Sequence, residues 1–359
     1  MTEQPLYILQ ICRRFGPVGG MERYVWELCR ELAAAGHHVE VVCEVNLSPE
    51  PLHGVAVHVL GTVRPKPRWL AHLRFSRHVR DWLTQHPDSS RVIHSHERTN
   101  VHHVTTFHGP PFATVRELPL WKRFSLRVKM NSWLEKHELC GQQVQAIIPN
   151  SGHIAAQLTH YYPEVASKLT HPIAPGVRCF KQRAPHPVDA AAGIIGFVGK
   201  EWKRKGLPKA IALLEQLSQR RPNLQCWVIG PNPSEIEHLF QQASFSFKLL
   251  GERKAEELYP QMDLLLHPAN KEPYGMVITE ALAAGVGVVI SDVCGAASEV
   301  NASLGDVLSL DSDIMRWSDA VDARLQRAGQ PIHYQRSWQV VAQEHLALYQ
   351  QIQTEQEPL

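Results

Sequence analysis

Short apolar runs that fit buried strands alternate with longer amphipathic stretches along most of the chain, and this alternation constrains the fold more than any other feature. In the first half, residues 6–12, 39–43, 55–60, 92–96, 104–107 and 146–149 read as strands. Between them, residues 22–35 read as a helix ended by Gly36, 69–86 as a helix closed by Pro87, and about 118–140 as one long helix. Periodicity stops around residues 178–192, where Pro185 and Pro187 sit among polar and small residues. A second run follows, with strands at 194–198, 225–229, 247–250, 264–267 and 287–290 and helices at 208–219, 256–261 and from about Met276. Strand–helix alternation of this kind predicts parallel sheets covered by helices on both faces. The expected architecture is α/β, with two Rossmann-like doubly wound domains at 1–177 and 193–332 and a linker at 178–192. A last amphipathic segment, 333–359, carries Trp338, Val341, Leu346 and Tyr349. Two such domains are expected to face a central cleft at the carboxyl ends of their strands, where ligands bind.

A length of 359 residues suits two cores. The seven cysteines are scattered and include no C-x-x-C pair, which argues against a disulfide framework or a zinc site and predicts a reducing compartment. No apolar run approaches the length of a membrane span, so a cytoplasmic protein is expected. The net charge of +2 hides an uneven spread, with the basic excess in the first half and an acidic excess in the second. Residues 64–80 hold Arg64, Lys66, Arg68, Arg74, Arg77 and Arg80 without an acid, interleaved with Trp69, Leu70, Leu73, Phe75 and Val79. Residues 121–133 repeat the theme with Lys122, Arg123, Arg127 and Lys129 among Phe124, Leu126, Val128 and Met130. Such segments either rest on anionic lipid, as a peripheral membrane contact, or are surface helices with a solvated basic face.

The segment richest in chemistry is Glu272-Pro-Tyr-Gly-Met-Val-Ile-Thr-Glu280. An apolar strand precedes it, a glycine turn lies inside it, and Ala281-Leu-Ala-Ala-Gly285 continues it as a helix. That order sets the N–H groups of Gly275, Met276 and Val277 at a helix N-terminus, which suits a phosphate. It sets one carboxylate at the turn and the other about two turns along. Three further motifs accompany it: Gly19-Gly20-Met-Glu-Arg23 after the first strand, Thr106-Phe-His-Gly109 at a strand end, and Phe197-Val-Gly-Lys-Glu-Trp-Lys-Arg-Lys-Gly206. Together, and in this order, they resemble the retaining nucleotide-sugar glycosyltransferases of family 4, which have the GT-B fold. The wording of the later motifs is most similar to the branch that adds hexoses to the lipopolysaccharide core.

The resemblance implies roles. Arg204 and Lys205, expected to open the first helix of the second domain, would hold the diphosphate as its charge develops. Glu280 would accept from the ribose hydroxyls, because an ionised carboxylate only accepts. Glu272 would face the donor sugar and be the more catalytically sensitive carboxylate, in a front-face displacement with retention. His108 would lie near the donor sugar, and Gly19 and Gly20 would let backbone approach the diphosphate. The tail helix would cross back onto the first domain. The donor would be a nucleotide-diphosphate sugar, UDP-glucose favoured, and the acceptor a glycan or lipid-linked glycan. No metal, no separate cofactor and no nucleic-acid partner are expected. Asp311-Ser-Asp313 has metal-binding spacing but reads as a helix cap before residue 314. His94, His96, His102 and His103 lack ligating acids or cysteines at suitable spacing, Glu97 apart. The rivals are an epimerase of the same fold, a non-catalytic nucleotide-sugar scaffold, and a family 4 transferase for exopolysaccharide or O-antigen. A dinucleotide oxidoreductase is disfavoured for want of G-x-G-x-x-G after a strand.

Overall fold

The computed structural model describes residues 4–356. The chain divides into two compact units, Met1–Gly176 with Ser337–Leu359, and Val177–Arg336. Residues 1–3 and 357–359, which fall within the expected first domain and tail, lie outside the described residues.

Each unit is built on a six-stranded, all-parallel sheet. In the first, the strands are β1 (Tyr7–Ile11), β2 (His38–Cys43), β3 (Val55–Val59), β4 (Arg91–Ser95), β5 (Val104–Phe107) and β6 (Ala146–Pro149), ordered β3-β2-β1-β4-β5-β6. In the second they are β7 (Ala192–Val198), β8 (Asn223–Ile229), β9 (Ser246–Gly251), β10 (Leu264–His267), β11 (Gly287–Ser291) and β12 (Gly305–Leu308), ordered β9-β8-β7-β10-β11-β12. A short parallel pair, Arg14–Phe15 with Val45–Asn46, extends the loops after β1 and β2. Both units are thus doubly wound and Rossmann-like. In each, strand order reverses beside the first strand, and the crevice past the carboxyl ends at that reversal is where such folds bind ligands.

Apolar periodicity explains the helices. In Leu207–Ser218, Leu207, Ala210, Leu213, Leu214 and Leu217 are buried on one face, against a core that includes Trp317, Val321 and Leu325 of helix Ile314–Gln326. In the tail helix, Trp338–Gln356, the residues Trp338, Val341, Ala342, His345, Tyr349 and Ile352 are buried. This stripe packs onto helix Gly20–Ala34 of the first unit, with Trp338 edge-on to Tyr24 at 5.3 Å between ring centroids. The helix starts at Trp338, later than its apolar pattern suggested, because the Ser337 hydroxyl accepts from the Val340 N–H and closes the turn there.

Local chemistry also breaks two expected helices. The single helix at 118–140 is interrupted. A 3-10 turn, Phe112–Glu117, and a short helix, Leu120–Arg123, precede Leu126–Cys140, whose N-terminus is capped by Ser125 accepting from Val128 N. Residues 256–261 form two 3-10 turns, Ala255–Glu257 and Tyr259–Gln261, because Pro260 has no N–H to continue an α-helix. Helix Gly152–Tyr161, capped by Ser151, and strand β12 were not anticipated. Residues 178–191 carry no helix or strand, yet they are held down. Arg183 is buried and donates to Asp263 and to the Ala328 carbonyl, each at 2.7 Å, while its own N–H reaches the Ala284 carbonyl.

One face of the first sheet is polar where a covered parallel sheet is ordinarily apolar. Gln10, His94, His96 and Thr106 are all buried there. Burial holds His94 and His96 well below the ordinary histidine range, His108 and His72 at about 3, and His102 at about 4. Burial also raises two carboxyls, Glu97 to about 7 and Glu138 to about 8. The signs oppose each other. A histidine depressed in the folded state contributes stability that is present above its unfolded value near 6.5 and is lost as pH falls toward its folded value. A carboxyl raised in the folded state contributes stability below its unfolded value of 4.5, and that is lost as pH rises through the folded value. The histidines outnumber the two carboxyls. The thermal midpoint should therefore climb from about pH 4 to about 6.5, then sag slightly toward pH 8 as Glu97 and Glu138 ionise. Calorimetry across that range checks it; a midpoint that rises as pH falls below 6.5 would mean that the histidines are charged in the folded protein.

Candidate active site

In the second unit the site lies where β7 and β10 run side by side. Strand β10 is wholly buried and ends at His267. The chain then turns through Pro268 to Glu272, whose backbone pairs with the loop after β11: Glu272 bridges Cys294, and Gly295 N–H donates to the Glu272 carbonyl at 2.9 Å. Gly275 takes the left-handed conformation, φ 95°, and starts helix Met276–Ala283. Its missing side chain leaves room for the Glu272 side chain, since a Cβ would sit 3.0 Å from Glu272 Cγ.

Glu272 is 6% exposed and meets three groups. Lys205 Nζ donates to Oε2 at 2.8 Å, Arg204 Nη1 lies 3.2 Å from Oε1, and His267 Nε2 lies 3.2 Å from Oε2. Burial pushes the carboxyl up, but the hydrogen bond from His267 and the charge of Lys205 outweigh it and hold Glu272 well below the usual carboxylate range. His267 is itself pushed down by burial, so it donates as a neutral imidazole. Glu272 thus meets both cations, and because Arg204 also pairs with the exposed Glu201, two carboxylates balance two cations.

Arg204 and Lys205 stand in the turn before the helix rather than in its first turn, because the helix begins at Leu207 behind a left-handed Gly206, φ 80°. That glycine lets the turn press against the end of β10. A Cβ on Gly206 would lie 1.9 Å from the Pro268 carbonyl oxygen. Hydrogen bonds tie the same two loops together, from Asn270 N–H to the Arg204 carbonyl and from Asn270 Nδ2 to the Lys203 carbonyl. Arg204 is further held by Glu201 at 2.6 Å and by the Lys271 carbonyl at 2.6 Å. Glu280 is on the helix, half-buried, and accepts from the Tyr259 hydroxyl at 3.0 Å. Met276 and Val277 occupy the first helical turn, where N–H groups have no intrahelical acceptor. Sequence reasoning missed His267 and Tyr259. The first had a signal, as the one polar residue closing an otherwise aliphatic strand; the second had none.

In the first unit Gly19 is the extended residue before helix Gly20–Ala34, and Gly20 is that helix's first residue. His108 follows β5 and is half-buried, with Nε2 2.8 Å from His96 Nδ1, its ring edge-on to Tyr24, and its carbonyl bound by Asn150. A cavity of about 450 Å³ opens beside it, lined by Met21, Arg68, Trp69, Glu97, Arg98 and Arg127 among others. The two sequence motifs with metal-like spacing have structural duties. Asp313 caps helix Ile314–Gln326 through Arg316 N–H at 2.7 Å. His94, His96 and His102 spend their ring nitrogens on hydrogen bonds within the unit.

The match to known proteins follows this division of the chain. The model for glycosyltransferase family 4 matches residues 18–179, and the model for glycosyl transferases group 1 matches residues 180–330. Between them they take in most of the sequence, and the chain belongs to the family 4 glycosyltransferases. The lipopolysaccharide glucosyltransferase WaaG of Escherichia coli is 25% identical over 317 residues, covering 82% of this chain and 83% of that protein. A D-inositol 3-phosphate glycosyltransferase of Corynebacterium urealyticum is 26% identical over an alignment of 406 residues, covering 94% and 92%. The crystal structure of WaaG, a glycosyltransferase involved in lipopolysaccharide biosynthesis, superposes with a TM-score of 0.75 at 19% identity, over 97% of this chain and 99% of that one. The fold is of the GT-B type and the protein is a glycosyltransferase.

The packing at Gly206 gives a direct test. Gly206→Ala combines left-handed strain with collision against Pro268, whereas Gly36→Ala, at φ 92° with nothing within 4 Å, carries the strain alone. Gly36→Ala should cost about 1 kcal/mol and Gly206→Ala clearly more, with transfer activity lost as Lys205 is displaced. Urea midpoints of the two variants decide it; equal shifts would mean that the β10 loop yields without cost.

Proposed function

We propose that this protein transfers a hexose, with glucose from UDP-glucose favoured, to a hydroxyl of a cell-envelope glycan, with retention at the anomeric carbon and without a divalent metal. The observation that carries the reading is the buried cluster of Glu272, Lys205 and Arg204 at the strand-order reversal of the second unit. Arg204, Lys205 and the N–H groups of Gly275, Met276 and Val277 would neutralise the departing diphosphate, which removes the need for a metal ion. Glu272 would accept from hydroxyls of the donor sugar while keeping the two cations in register. Glu280 would take the ribose hydroxyls. Gly19 and Gly20 would let backbone approach the diphosphate, and His108 would lie near the donor sugar. The leaving phosphate would help deprotonate the acceptor in a front-face displacement.

The acceptor is assigned to the cavity beside His108. Arg68 and Arg127 line it, with Arg98 paired to Glu135 and with Glu97 and Glu138 raised by burial to about 7 and about 8, a balance that favours an acceptor carrying acidic groups. A lipopolysaccharide core fits this, in keeping with the name of the Escherichia coli relative, and so does a sugar phosphate, in keeping with the Corynebacterium relative. The surface favours the lipid-borne glycan. Helix Arg68–Gln85 turns Ala71, Phe75 and Val79 inward and leaves Trp69, Leu70 and Leu73 half-buried, so none of its apolar side chains is fully exposed. The segment from Leu118 is different: Trp121 is 75% exposed, Phe124 67% and Leu126 64%, with Arg127 and Lys129 exposed beside them. Aromatic and aliphatic side chains among cations suit an anionic membrane face. Among the described residues no helix is long and apolar enough to cross a membrane, so the contact would be peripheral, at the inner face of the cell membrane.

Two experiments test the reading. Glu272→Gln and Lys205→Met should each lower kcat with UDP-glucose by about 100-fold or more, and EDTA should leave wild-type turnover unchanged. Near-normal turnover in either variant at saturating donor would remove that residue from the site, and loss in EDTA restored by Mg²⁺ would bring in a metal. Separately, wild type should co-sediment with phosphatidylglycerol vesicles at low salt and less at high salt. The pair Trp121→Ser and Phe124→Ser should release it and slow transfer to a lipid-borne acceptor, but not to its soluble fragment. Unchanged binding by that pair would leave the segment without a membrane role.

A further inference from the structure

Behind His108 a chain of buried hydrogen bonds runs under the tail helix. His108 Nε2 lies 2.8 Å from His96 Nδ1, and His96 Nε2 lies 2.8 Å from Gln10 Oε1. Gln10 Nε2 donates to the Tyr349 hydroxyl at 3.0 Å. That hydroxyl lies 2.6 Å from His94 Nδ1, and His94 Nε2 lies 2.8 Å from Thr106 Oγ1. Every partner behind His108 is buried, so their protons must be shared among themselves.

The directions of these bonds are not independent. The Gln10 oxygen can only accept, so His96 carries its proton on Nε2. Burial keeps His96 neutral, which leaves Nδ1 with a lone pair that accepts. His108 must then donate from Nε2, and because burial keeps it neutral as well, its Nδ1 is bare. On the other side the Gln10 amide occupies the Tyr349 oxygen, so the phenol proton goes to His94 Nδ1 and the His94 Nε2 proton to Thr106. Five bonds point one way. A second contact from the same helix orients the ring. His345 Nδ1 donates to the Val341 carbonyl at 2.8 Å, so its Nε2 accepts from the Tyr24 hydroxyl at 3.2 Å, and Tyr24 stands edge-on to His108 at 5.0 Å between centroids.

We propose that Gln10 and Tyr349, acting through His96, hold His108 in the tautomer protonated at Nε2, so that Nδ1 accepts a hydrogen bond from a hydroxyl of the bound sugar. The proposal rests on the reading of His108 as a group that meets the donor sugar. Gln10 and Tyr349 are positioning residues: they meet the substrate only through the histidine, and they make the tail helix part of the first unit's machinery. Reversing the chain would turn Nδ1 into an N–H donor, which a sugar hydroxyl serving as donor would not satisfy.

The test uses the full chain with 15N-labelled histidine, the His108 signals being those missing from His108→Gln. Wild type should show Nδ1 unprotonated and Nε2 protonated. Gln10→Leu removes the amide, and the milder Tyr349→Phe removes one oxygen; in either, the two His108 nitrogens should move toward averaged shifts. Each variant should lower kcat roughly tenfold with the donor KM within about twofold, and neither should add to the loss already caused by His108→Gln. A wild-type His108 protonated at Nδ1 would overturn the proposal, as would unchanged His108 shifts in both variants, or losses that multiply in double variants with an impaired His108→Gln. Full activity of His108→Gln would instead overturn the reading of His108 on which the proposal rests.

Discussion

Glu272 keeps its charge in the interior because Lys205, Arg204 and His267 surround its two oxygens, and much of the second unit is arranged to keep them there. A carboxylate that deep, left without its cation, costs about 3–5 kcal/mol. The turn that brings Lys205 must therefore close onto the end of β10, which only Gly206 permits, and Asn270 then stitches the two loops together. The loop after β11 clamps the Glu272 backbone from the other side. Losing Lys205 is thus expected to disturb stability as well as charge, because the residue is part of a buried pair and not an ornament of the surface. The second carboxylate on Arg204, Glu201, is exposed, so an anion that displaced it would meet both cations that satisfy Glu272.

The first unit meets a different constraint. Its sheet buries Gln10, His94, His96 and Thr106 on one face, and each polar atom needs a partner when water is excluded. The tail helix supplies the missing partners in Tyr349 and, for Tyr24, in His345. Polar satisfaction therefore explains why a helix from the far end of the chain returns to this unit, which apolar packing by Trp338, Val341 and Ile352 alone would not specify. The histidines of that face stay neutral because burial penalises a charged imidazole.

Sequence alone determined a good deal. Alternating strands and helices fixed two doubly wound units, since apolar runs that short can be buried only in sheets covered on both sides. The order of strand, Glu272, glycine and helix marked the position of the site, because turn chemistry is local. Asp313 was legible as a cap for the same reason. Only the tertiary structure decided which groups meet. Tyr259 reaches Glu280 from a loop that no spacing encodes, whereas His267 is sequence-local to Glu272 and had a signal as the polar end of an aliphatic strand. Two basic segments looked alike in sequence, yet one leaves no apolar side chain of its helix fully exposed and the other exposes Trp121 and Phe124, because exposure depends on what the rest of the fold lays against each helix. The tail helix was visible as an amphipathic stripe, but its Tyr349 meets Gln10 across 339 positions of chain, and a hydrogen bond of that reach exists only once both sheet and helix are in place.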